Sequence, residues 1–121
     1  MLISNDKGLY LLIQRSVPFS DGTKWDIPGG RIKPSEHLES ALMRELREEI
    51  GVRLDGQRQL IKAQDIFVPE VDLHVVRLIY TARFNGDIVL SEEHQSLKWV
   101  THEDALALDL DPYLREVLES L

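Results

Sequence analysis

The sequence predicts a single domain of the α/β class (α+β in some schemes), built as a layered sandwich of helices and a sheet. Three observations support this prediction. The chain has 121 residues, a length typical of one domain. Segments with the pattern of short strands outnumber segments with helical periodicity. One long amphipathic helix falls between the strands rather than after them, which favours helices packed on a sheet.

The first segments predict two strands joined by a turn. "MLIS" is a short apolar segment, "NDKG" has the composition of a turn, and "LYLLIQR" is apolar enough to be a buried strand. The next segment, "SVPFSDGTK", predicts a loop because it is rich in Pro, Gly, Ser and Asp.

A helix is predicted in the middle of the chain. Pro34 and Ser35 are typical helix-start residues, and Gly51 lies where a left-handed cap usually ends a helix. Apolar residues recur between them with helical spacing, at Leu38, Ala41, Leu42, Leu46 and Ile50.

The second half of the sequence predicts more strands and two short helices. Residues 58–68 and 71–84 have strand patterns, and "NG" at 85–86 predicts a tight hairpin turn into a strand at "DIVL". "LKWV" predicts a further strand. Thr101 is expected to cap a short helix, and Asp111 followed by Pro112 to begin the last one.

Composition narrows the functional class. A net charge of -7 argues against a partner that is a nucleic acid polymer, although a bound cation can still attract a small phosphorylated substrate. The chain has no cysteine, so disulfides, thiolate metal sites and cysteine nucleophiles are excluded. The apolar stretch Leu9–Ile13 is too short for a membrane span or a signal peptide. We therefore expect a soluble, cytoplasmic protein without a membrane partner.

The central helix carries an unusual group of acids. On a helical wheel, Glu45, Glu48 and Glu49 share an arc of about 100°, which overlaps the apolar face. Like charges at this spacing repel one another, and a solvated acidic face would more naturally lie opposite the apolar one. Either the arc binds a hard divalent cation such as Mg²⁺, or it is a solvated surface with internal Glu–Arg pairs. The helix alone leaves both interpretations open.

The turn before the helix favours the cation. In "IPGG" the glycines permit a close backbone approach, so that a carbonyl oxygen there can join the carboxylates as a ligand. Arg44, next to Glu45 in sequence, is placed to orient a carboxylate by a two-point contact.

The run from Gly30 to Val52 resembles the signature of the Nudix hydrolases. That signature is Gly, five residues, Glu, seven residues, Arg-Glu, an aliphatic residue, any residue, Glu-Glu, any residue, Gly and an aliphatic residue. Every spacing is kept in this sequence, with Gly30, Glu36, Arg44, Glu45, Leu46, Glu48, Glu49, Gly51 and Val52. "LLIQR", "WDIPGG" and "SEEHQSLKWV" also resemble the family, so the resemblance covers nearly the whole chain. It implies an α/β/α sandwich around a mixed sheet.

The resemblance also implies a Mg²⁺-dependent hydrolase, with Mn²⁺ as an alternative ion. Glu48 and Glu49 are the firmest metal ligands by this resemblance, Glu45 is a further ligand or the general base, and the carbonyl of Gly29 completes the ligand set. The number of ions stays open. The family hydrolyses a nucleoside diphosphate linked to another group, by attack of water at phosphorus.

The same resemblance gives roles to other residues. Arg44 is a catalytic residue that pairs with a carboxylate of the signature, while Gly30, Glu36 and Gly51 are structural. Glu93, in "SEEH", is a second candidate for the general base and a further metal ligand, although Glu92 beside it is an alternative. For both acids, a solvated loop carboxylate is an equally good interpretation.

Arg15 and Asp26 are the expected substrate-binding residues. Arg15 ends a predicted strand where family members often contact phosphate, although a surface arginine at a strand end is an equal alternative. Trp25 is better explained as a buried residue than as a platform for a base. His74 is expected to be structural. The remaining histidines have no common spacing, so no imidazole metal site is predicted at His37, His94 and His102.

The signature does not name the substrate. A compact chain resembles the family members that act on nucleoside triphosphates, including oxidised ones, giving nucleoside monophosphate and pyrophosphate. The alternative is an ADP-ribose or nucleotide-sugar pyrophosphatase, to which Pro69 is a loose match. An alternative of another class is a non-catalytic nucleotide-binding module, although such modules typically lose acids of the signature. A homodimer is common in the family. Whether the natural N-terminus lies upstream of Met1 is left open.

Overall fold

A computed structural model describes residues 1–16 and 23–121. The predicted loop "SVPFSDGTK" lies mostly outside the described residues. The elements in chain order are β1 (Leu2–Ser4), β2 (Tyr10–Arg15), β3 (Trp25–Asp26), α1 (Leu38–Ile50), β4 (Gln59–Val68), a 3₁₀ turn (Pro69–Val71), β5 (Leu73–Arg83), β6 (His94–Val100), α2 (His102–Leu106) and α3 (Pro112–Glu119).

The six strands form one mixed sheet. β1 runs parallel to β5, with Leu2 opposite Thr81, and the other pairings are antiparallel. β2 is central because it pairs with β6 along its length and with β1 and β3 as well. β4 and β5 form a long hairpin whose turn is the 3₁₀ segment beginning at Pro69. The mixed sheet expected from the sequence is confirmed.

Side-chain alternation along β1 and β2 creates two apolar faces. Leu2 and Leu12 point to one face, where they pack with Leu114 and Leu118 of α3. The neighbouring residues point to the other face and pack with α1 and the segment after it; they are Ile3, Leu11 and Ile13 against Leu46, Ile50 and Val52. The sheet is therefore the middle layer of an α/β/α sandwich, as expected.

The two C-terminal helices begin as expected. The Thr101 hydroxyl accepts a hydrogen bond from the N–H of Asp104, and the Asp111 carboxylate accepts bonds from the N–H groups of Tyr113 and Leu114. Each side chain satisfies backbone donors that the first turn of a helix leaves unpaired. Trp25 is buried among the residues packed against α3, which confirms its interpretation as a core residue.

The predicted start of the central helix is wrong by three or four residues. α1 begins at Leu38, not at Pro34 or Ser35, and Ser35 has a left-handed backbone (φ 65°) that no helix can contain. The residues before α1 form a turn instead, with the N–H of Lys33 donating to the Glu36 carboxylate at 3.0 Å. The turn directs Glu36 towards α1.

The hairpin predicted at Asn85–Gly86 is also wrong. Residues 87–90 form no strand, because their backbone binds the C-terminal end of α1. The N–H of Val89 donates to the carbonyl of Ile50 at 3.0 Å, and the N–H of Ser91 donates to the carbonyl of Glu49 at 2.9 Å. The unpaired carbonyls of a helix end accept these bonds in place of a neighbouring strand.

Across residues 1–16 and 23–121, no helix has both the length and the apolar character needed to cross a membrane.

Candidate functional site

Arg44 on α1 binds three carboxylates. Its Nε and one terminal nitrogen donate to the two oxygens of Glu36 at 2.8 and 2.9 Å. The other terminal nitrogen donates to Glu45 at 2.7 Å and to Glu48 at 3.3 Å. A further bond reaches the carbonyl of Arg31 at 2.9 Å. The planar guanidinium thus connects the loop before α1 to two acids of the helix, Glu45 and Glu48.

The pKa values of this pair reflect the two-point contact. Hydrogen bonding from Arg44, with a further bond from the backbone of Lys33, lowers the pKa of Glu36 from 4.5 to about 2. Hydrogen bonds to Glu36 and Glu45 raise the pKa of Arg44. Both groups are therefore charged throughout the neutral range, and the expected structural role of Glu36 is supported by direct contact.

Glu49, the third acid of the predicted arc, has different partners. One oxygen of Glu49 accepts a hydrogen bond from the N–H of Gly29 at 2.7 Å, and the other lies 3.3 Å from Nε2 of His94. Nδ1 of His94 lies 3.0 Å from the hydroxyl of Ser91. Gly29 is therefore placed directly against one of the predicted metal ligands.

The second glycine of "IPGG" is needed for space. A Cβ on Gly30 would lie 2.1 to 2.4 Å from the carboxylate atoms of Glu45, far inside van der Waals contact. The loop backbone and the Glu45 carboxylate are therefore in direct contact. Gly51 meets a different requirement: its φ of 66° caps α1, and its N–H donates to the carbonyl of Arg47.

Two further predicted site residues, Arg15 and Glu93, lie together. The guanidinium of Arg15 lies 3.5 Å from the Glu93 carboxylate, and both side chains are about half exposed. The N–H of Ser16 donates to the carbonyl of Glu93 at 2.7 Å. The pairing of β2 with β6 brings these positions, which are distant in sequence, to the same end of the two strands.

A cavity of about 580 Å³ opens beside the acidic helix. Its size is in the range of small-molecule sites. Asp26, Gly29, Gly30 and Glu45 are among the residues that line it. Most of the other lining residues are apolar and include Ile27, Ile32, Leu38, Leu42, Ile66, Leu73, Val75 and Ile79. A largely apolar cavity whose lining includes carboxylates suits a ligand with one apolar and one charged part.

Arg77 of β5 is a residue of this cavity that the sequence reasoning missed. Its guanidinium donates to Asp26 at 2.8 Å and to Asp111, the cap of α3, at 3.3 Å. Burial raises the pKa of Asp26, and the charge of Arg77 opposes part of that shift. The available signal was a lone arginine inside the apolar run "VVRLIY".

As the side chains stand, no three His, Asp or Glu residues of the described part of the chain are arranged as a metal-binding group. Glu45 and Glu48 point to Arg44, and Glu49 points to Gly29 and His94. The donor chemistry nevertheless fits a hard divalent cation. One guanidinium faces three carboxylates, so negative charge is in excess, and Glu48 is still 52% exposed.

Comparison with known protein families gives a match over the whole chain. The model of the NUDIX domain matches residues 1–121. This is the family that the residues from Gly30 to Val52 indicated.

Curated relatives agree with the family match. The chain is 32% identical to the CTP pyrophosphohydrolase of Escherichia coli (strain K12) over 114 residues, which covers 93% of this chain and 82% of that protein. It is 34% identical to the nucleoside triphosphatase NudI of Enterobacter sp. (strain 638) over 101 residues, covering 76% of this chain and 72% of that one.

Among solved structures, the fold is similar to that of the MutT protein from Methanosarcina mazei Go1. The TM-score is 0.84 at 31% identity, with 98% of this chain and 86% of that chain covered.

Proposed function

Because this chain belongs to the NUDIX domain family, we propose that it hydrolyses a nucleoside triphosphate, or an oxidised form of one, to a nucleoside monophosphate and pyrophosphate. In this reaction, water attacks the α-phosphorus. The bond from that phosphorus to the oxygen bridging to the β-phosphorus breaks, and this oxygen leaves with the pyrophosphate. The relatives named for action on CTP and on nucleoside triphosphates support this substrate class.

The observation that carries the proposal is that Glu45 of the acidic helix lines the cavity and shares one nitrogen of Arg44 with Glu48. A nucleotide bound with its base between the apolar walls would extend its phosphates towards these acids. Phosphates and carboxylates repel one another, so the arrangement requires a cation between them.

Nudix hydrolases generally use a divalent metal ion, and we propose Mg²⁺, with Mn²⁺ as a substitute. Glu45, Glu48, Glu49, the carbonyl of Gly29 and Glu93 would hold it. A bound divalent ion screens the phosphate charge and lowers the pKa of a bound water. Arg44 fixes the positions of Glu45 and Glu48 through its contacts with both.

The proton of the attacking water needs an acceptor that is ionised at working pH. Glu45 and Glu93 are the two proposed acceptors. Glu45 lines the cavity but accepts a hydrogen bond from Arg44 at 2.7 Å, whereas the Glu93 carboxylate faces Arg15 at 3.5 Å. Binding of a phosphate by Arg15 would weaken that ion pair and release Glu93.

We propose that Asp26 binds substrate together with Arg77. The pair presents a carboxylate acceptor and guanidinium donors inside the cavity wall. A nucleobase edge offers both donors and acceptors, which such a pair can bind. Asp26 is thus better placed against the base than against the phosphates.

The alternative substrates, ADP-ribose and nucleotide sugars, receive less support. Pro69 was the sequence feature that favoured them, and it begins the 3₁₀ turn between β4 and β5. Proline is common at the first position of such a turn for its fixed φ alone. We also propose a cytoplasmic location, where nucleoside triphosphates are made and used. Light scattering after gel filtration distinguishes a monomer from the homodimer that is common in the family.

The proposal is tested by product analysis. The purified protein is incubated with each of the nucleoside triphosphates, oxidised dGTP, ADP-ribose and a nucleotide sugar, with Mg²⁺, with Mn²⁺ and with a chelator. Glu48→Gln removes one proposed metal-binding charge, and Glu70→Gln, an exposed acid in the hairpin turn, is the matched control.

We expect metal-dependent release of a nucleoside monophosphate and pyrophosphate from a triphosphate. Glu48→Gln should lower kcat/KM at least about 100-fold and Glu70→Gln should not change it. Turnover of ADP-ribose alone would favour the alternative substrate class. Tight binding of a nucleotide without turnover of any substrate would establish the non-catalytic module instead.

A further inference from the structure

We propose that His94 is a positioning residue that fixes the Glu49 carboxylate for a divalent cation. This inference rests on the proposed function, because it takes Glu49 to be a metal ligand. His94 begins β6, and its side chain is only 1% exposed. It is the sole imidazole that touches an acid of the signature in the part of the chain that the structure describes.

The contacts of His94 define its hydrogen-bonding state. Nε2 lies 3.3 Å from an oxygen of Glu49, and an ionised carboxylate only accepts hydrogen bonds. Nε2 therefore carries the hydrogen. Nδ1 lies 3.0 Å from the hydroxyl of Ser91, which can donate to it or accept from it. The contact with Ser91 is therefore compatible with a ring whose Nε2–H faces Glu49.

Glu49 is held at both oxygens. Its second oxygen accepts the hydrogen bond from the N–H of Gly29 at 2.7 Å. Its backbone carbonyl accepts from the N–H of Ser91, so the segment that carries His94 is itself bound to Glu49. Each carboxylate oxygen keeps a lone pair free after accepting one bond. The carboxylate is therefore oriented while it retains the capacity to bind a cation.

Orientation of this kind affects metal affinity. A free glutamate side chain loses rotamer entropy when it is fixed, and a carboxylate that is already fixed avoids that loss on binding. Residues that hydrogen-bond to metal ligands typically contribute 10–100-fold to affinity. The same bonds also connect β6 to α1, so a purely structural role is the alternative that the experiment must separate.

Three substitutions separate the two roles. His94→Gln places an amide N–H near the position of Nε2 and retains the donor to Glu49. His94→Asn reaches only the position of Nδ1, so it keeps a partner for Ser91 and removes the donor. His94→Leu removes both. Binding of Mn²⁺ alone is measured by electron paramagnetic resonance at fixed pH, and Tm is measured for each variant without metal.

We expect His94→Asn and His94→Leu to weaken Mn²⁺ binding about 10–100-fold, and His94→Gln to stay within about threefold of the wild type. Equal Mn²⁺ affinity in all folded variants would overturn the inference while leaving the proposed function intact. The inference would also be overturned if Mn²⁺ affinity fell in proportion to Tm across the variants, whether or not each variant retains an N–H donor to Glu49. Absence of Mn²⁺ binding by the wild type would overturn both proposals.

Discussion

At the scale of single residues, Arg44 has the most consequential contacts at the site. Its guanidinium binds Glu36 through two nitrogens and also contacts Glu45 and Glu48. A lysine ammonium is a compact charge that cannot reproduce this fork of donors. The role of Arg44 therefore depends on its geometry as well as on its charge.

The substitution Arg44→Lys tests that statement. Since Glu45 and Glu48 would lose a shared donor, we expect kcat/KM for the best substrate to fall about 10–100-fold and Tm to fall as well. Arg47→Lys, on the exposed side of the same helix, is the control and should leave both quantities unchanged. Equal activity of the Arg44→Lys enzyme and the wild type would show that charge alone suffices.

Glu36 predicts a pH dependence of stability. Its pKa in the folded protein is about 2, against 4.5 for the ordinary carboxyl, because Arg44 and the backbone of Lys33 bind its ionised form. A lowered pKa stabilises the folded state above pH 4.5, and this contribution is lost as the pH falls from 4.5 to about 2. Urea unfolding at a series of pH values measures it.

Glu36→Gln should be less stable than the wild type at pH 7 and should lose less stability on acidification. The difference between the two proteins should therefore shrink as the pH falls towards 2. Glu70→Gln should follow the wild-type curve. A difference that is constant with pH would mean that the contact contributes through packing rather than through charge.

At the scale of elements, the end of α1 depends on Gly51. Its φ of 66° is strained for any residue with a Cβ, and an added Cβ would lie 3.2 Å from Cβ of Val89. The segment 87–91 packs here, since Val89 and Ser91 bind the last carbonyls of α1. One glycine thus allows both the helix cap and the docking of the next segment.

Gly51→Ala should lower the free energy of unfolding by about 1–2 kcal/mol, the usual cost of a left-handed backbone for a residue with a side chain. Gly56→Ala is the control, since an added Cβ there meets no atom within 4 Å. Urea denaturation of both variants gives the comparison. Equal stability of the Gly51→Ala protein and the wild type would show that α1 can end in another way.

Gly30→Ala, unlike Gly51→Ala, should lower activity and leave stability nearly unchanged. The atoms that its Cβ would meet belong to the far end of the flexible Glu45 side chain, which can rotate away at little cost in stability. The carboxylate would then leave its position, so we expect at least about a 10-fold loss of kcat with Tm nearly unchanged. A large fall in Tm would place the constraint in the loop backbone instead.

At the scale of the whole molecule, the sheet is the shared middle layer of two apolar clusters. Leu46 on α1 and Leu114 on α3 are completely buried on opposite faces of it. β1 and β2 contribute neighbouring residues to both clusters, so loss of either helix layer exposes the sheet. We therefore propose that residues 1–121 unfold as one cooperative domain.

Leu46→Ala and Leu114→Ala should each lower the free energy of unfolding by about 2–5 kcal/mol, the usual cost of truncating a buried leucine. In both variants, tryptophan fluorescence and circular dichroism should report the same single transition. Two separate transitions in either variant would show that the layers unfold independently.

Local signals predicted much of this fold. Periodicity and cap residues predicted α1, with a start placed too early, the starts of the last two helices, and strands close to the observed β2, β4, β5 and β6. These features depend on neighbours in sequence. The two errors, the start of α1 and the hairpin at 85–86, arose where contacts between residues distant in sequence determine the local structure. Glu36 turns towards Arg44 before α1, and residues 87–91 bind the end of α1.

The site was predictable to a similar extent. Helical spacing placed Glu45, Glu48 and Glu49 on one arc, and a family resemblance added Gly29 and the other candidates. No local pattern indicated that Arg77 would meet Asp26, since 51 residues separate them. Nor did the spacing of the histidines show that β2 pairing would bring His94 to Glu49. Contacts of this kind follow from topology.

The central position of β2 also has a consequence for synthesis on the ribosome. β2 leaves the ribosome early, but its longest partner, β6, is made near the end of the chain. Glu93 and His94 arrive with β6, so the acids of α1 lack these neighbours while the chain is being translated. A nascent chain therefore carries the Nudix signature before it has the complete constellation. Assembly of the site therefore waits for the synthesis of β6 and its pairing with β2.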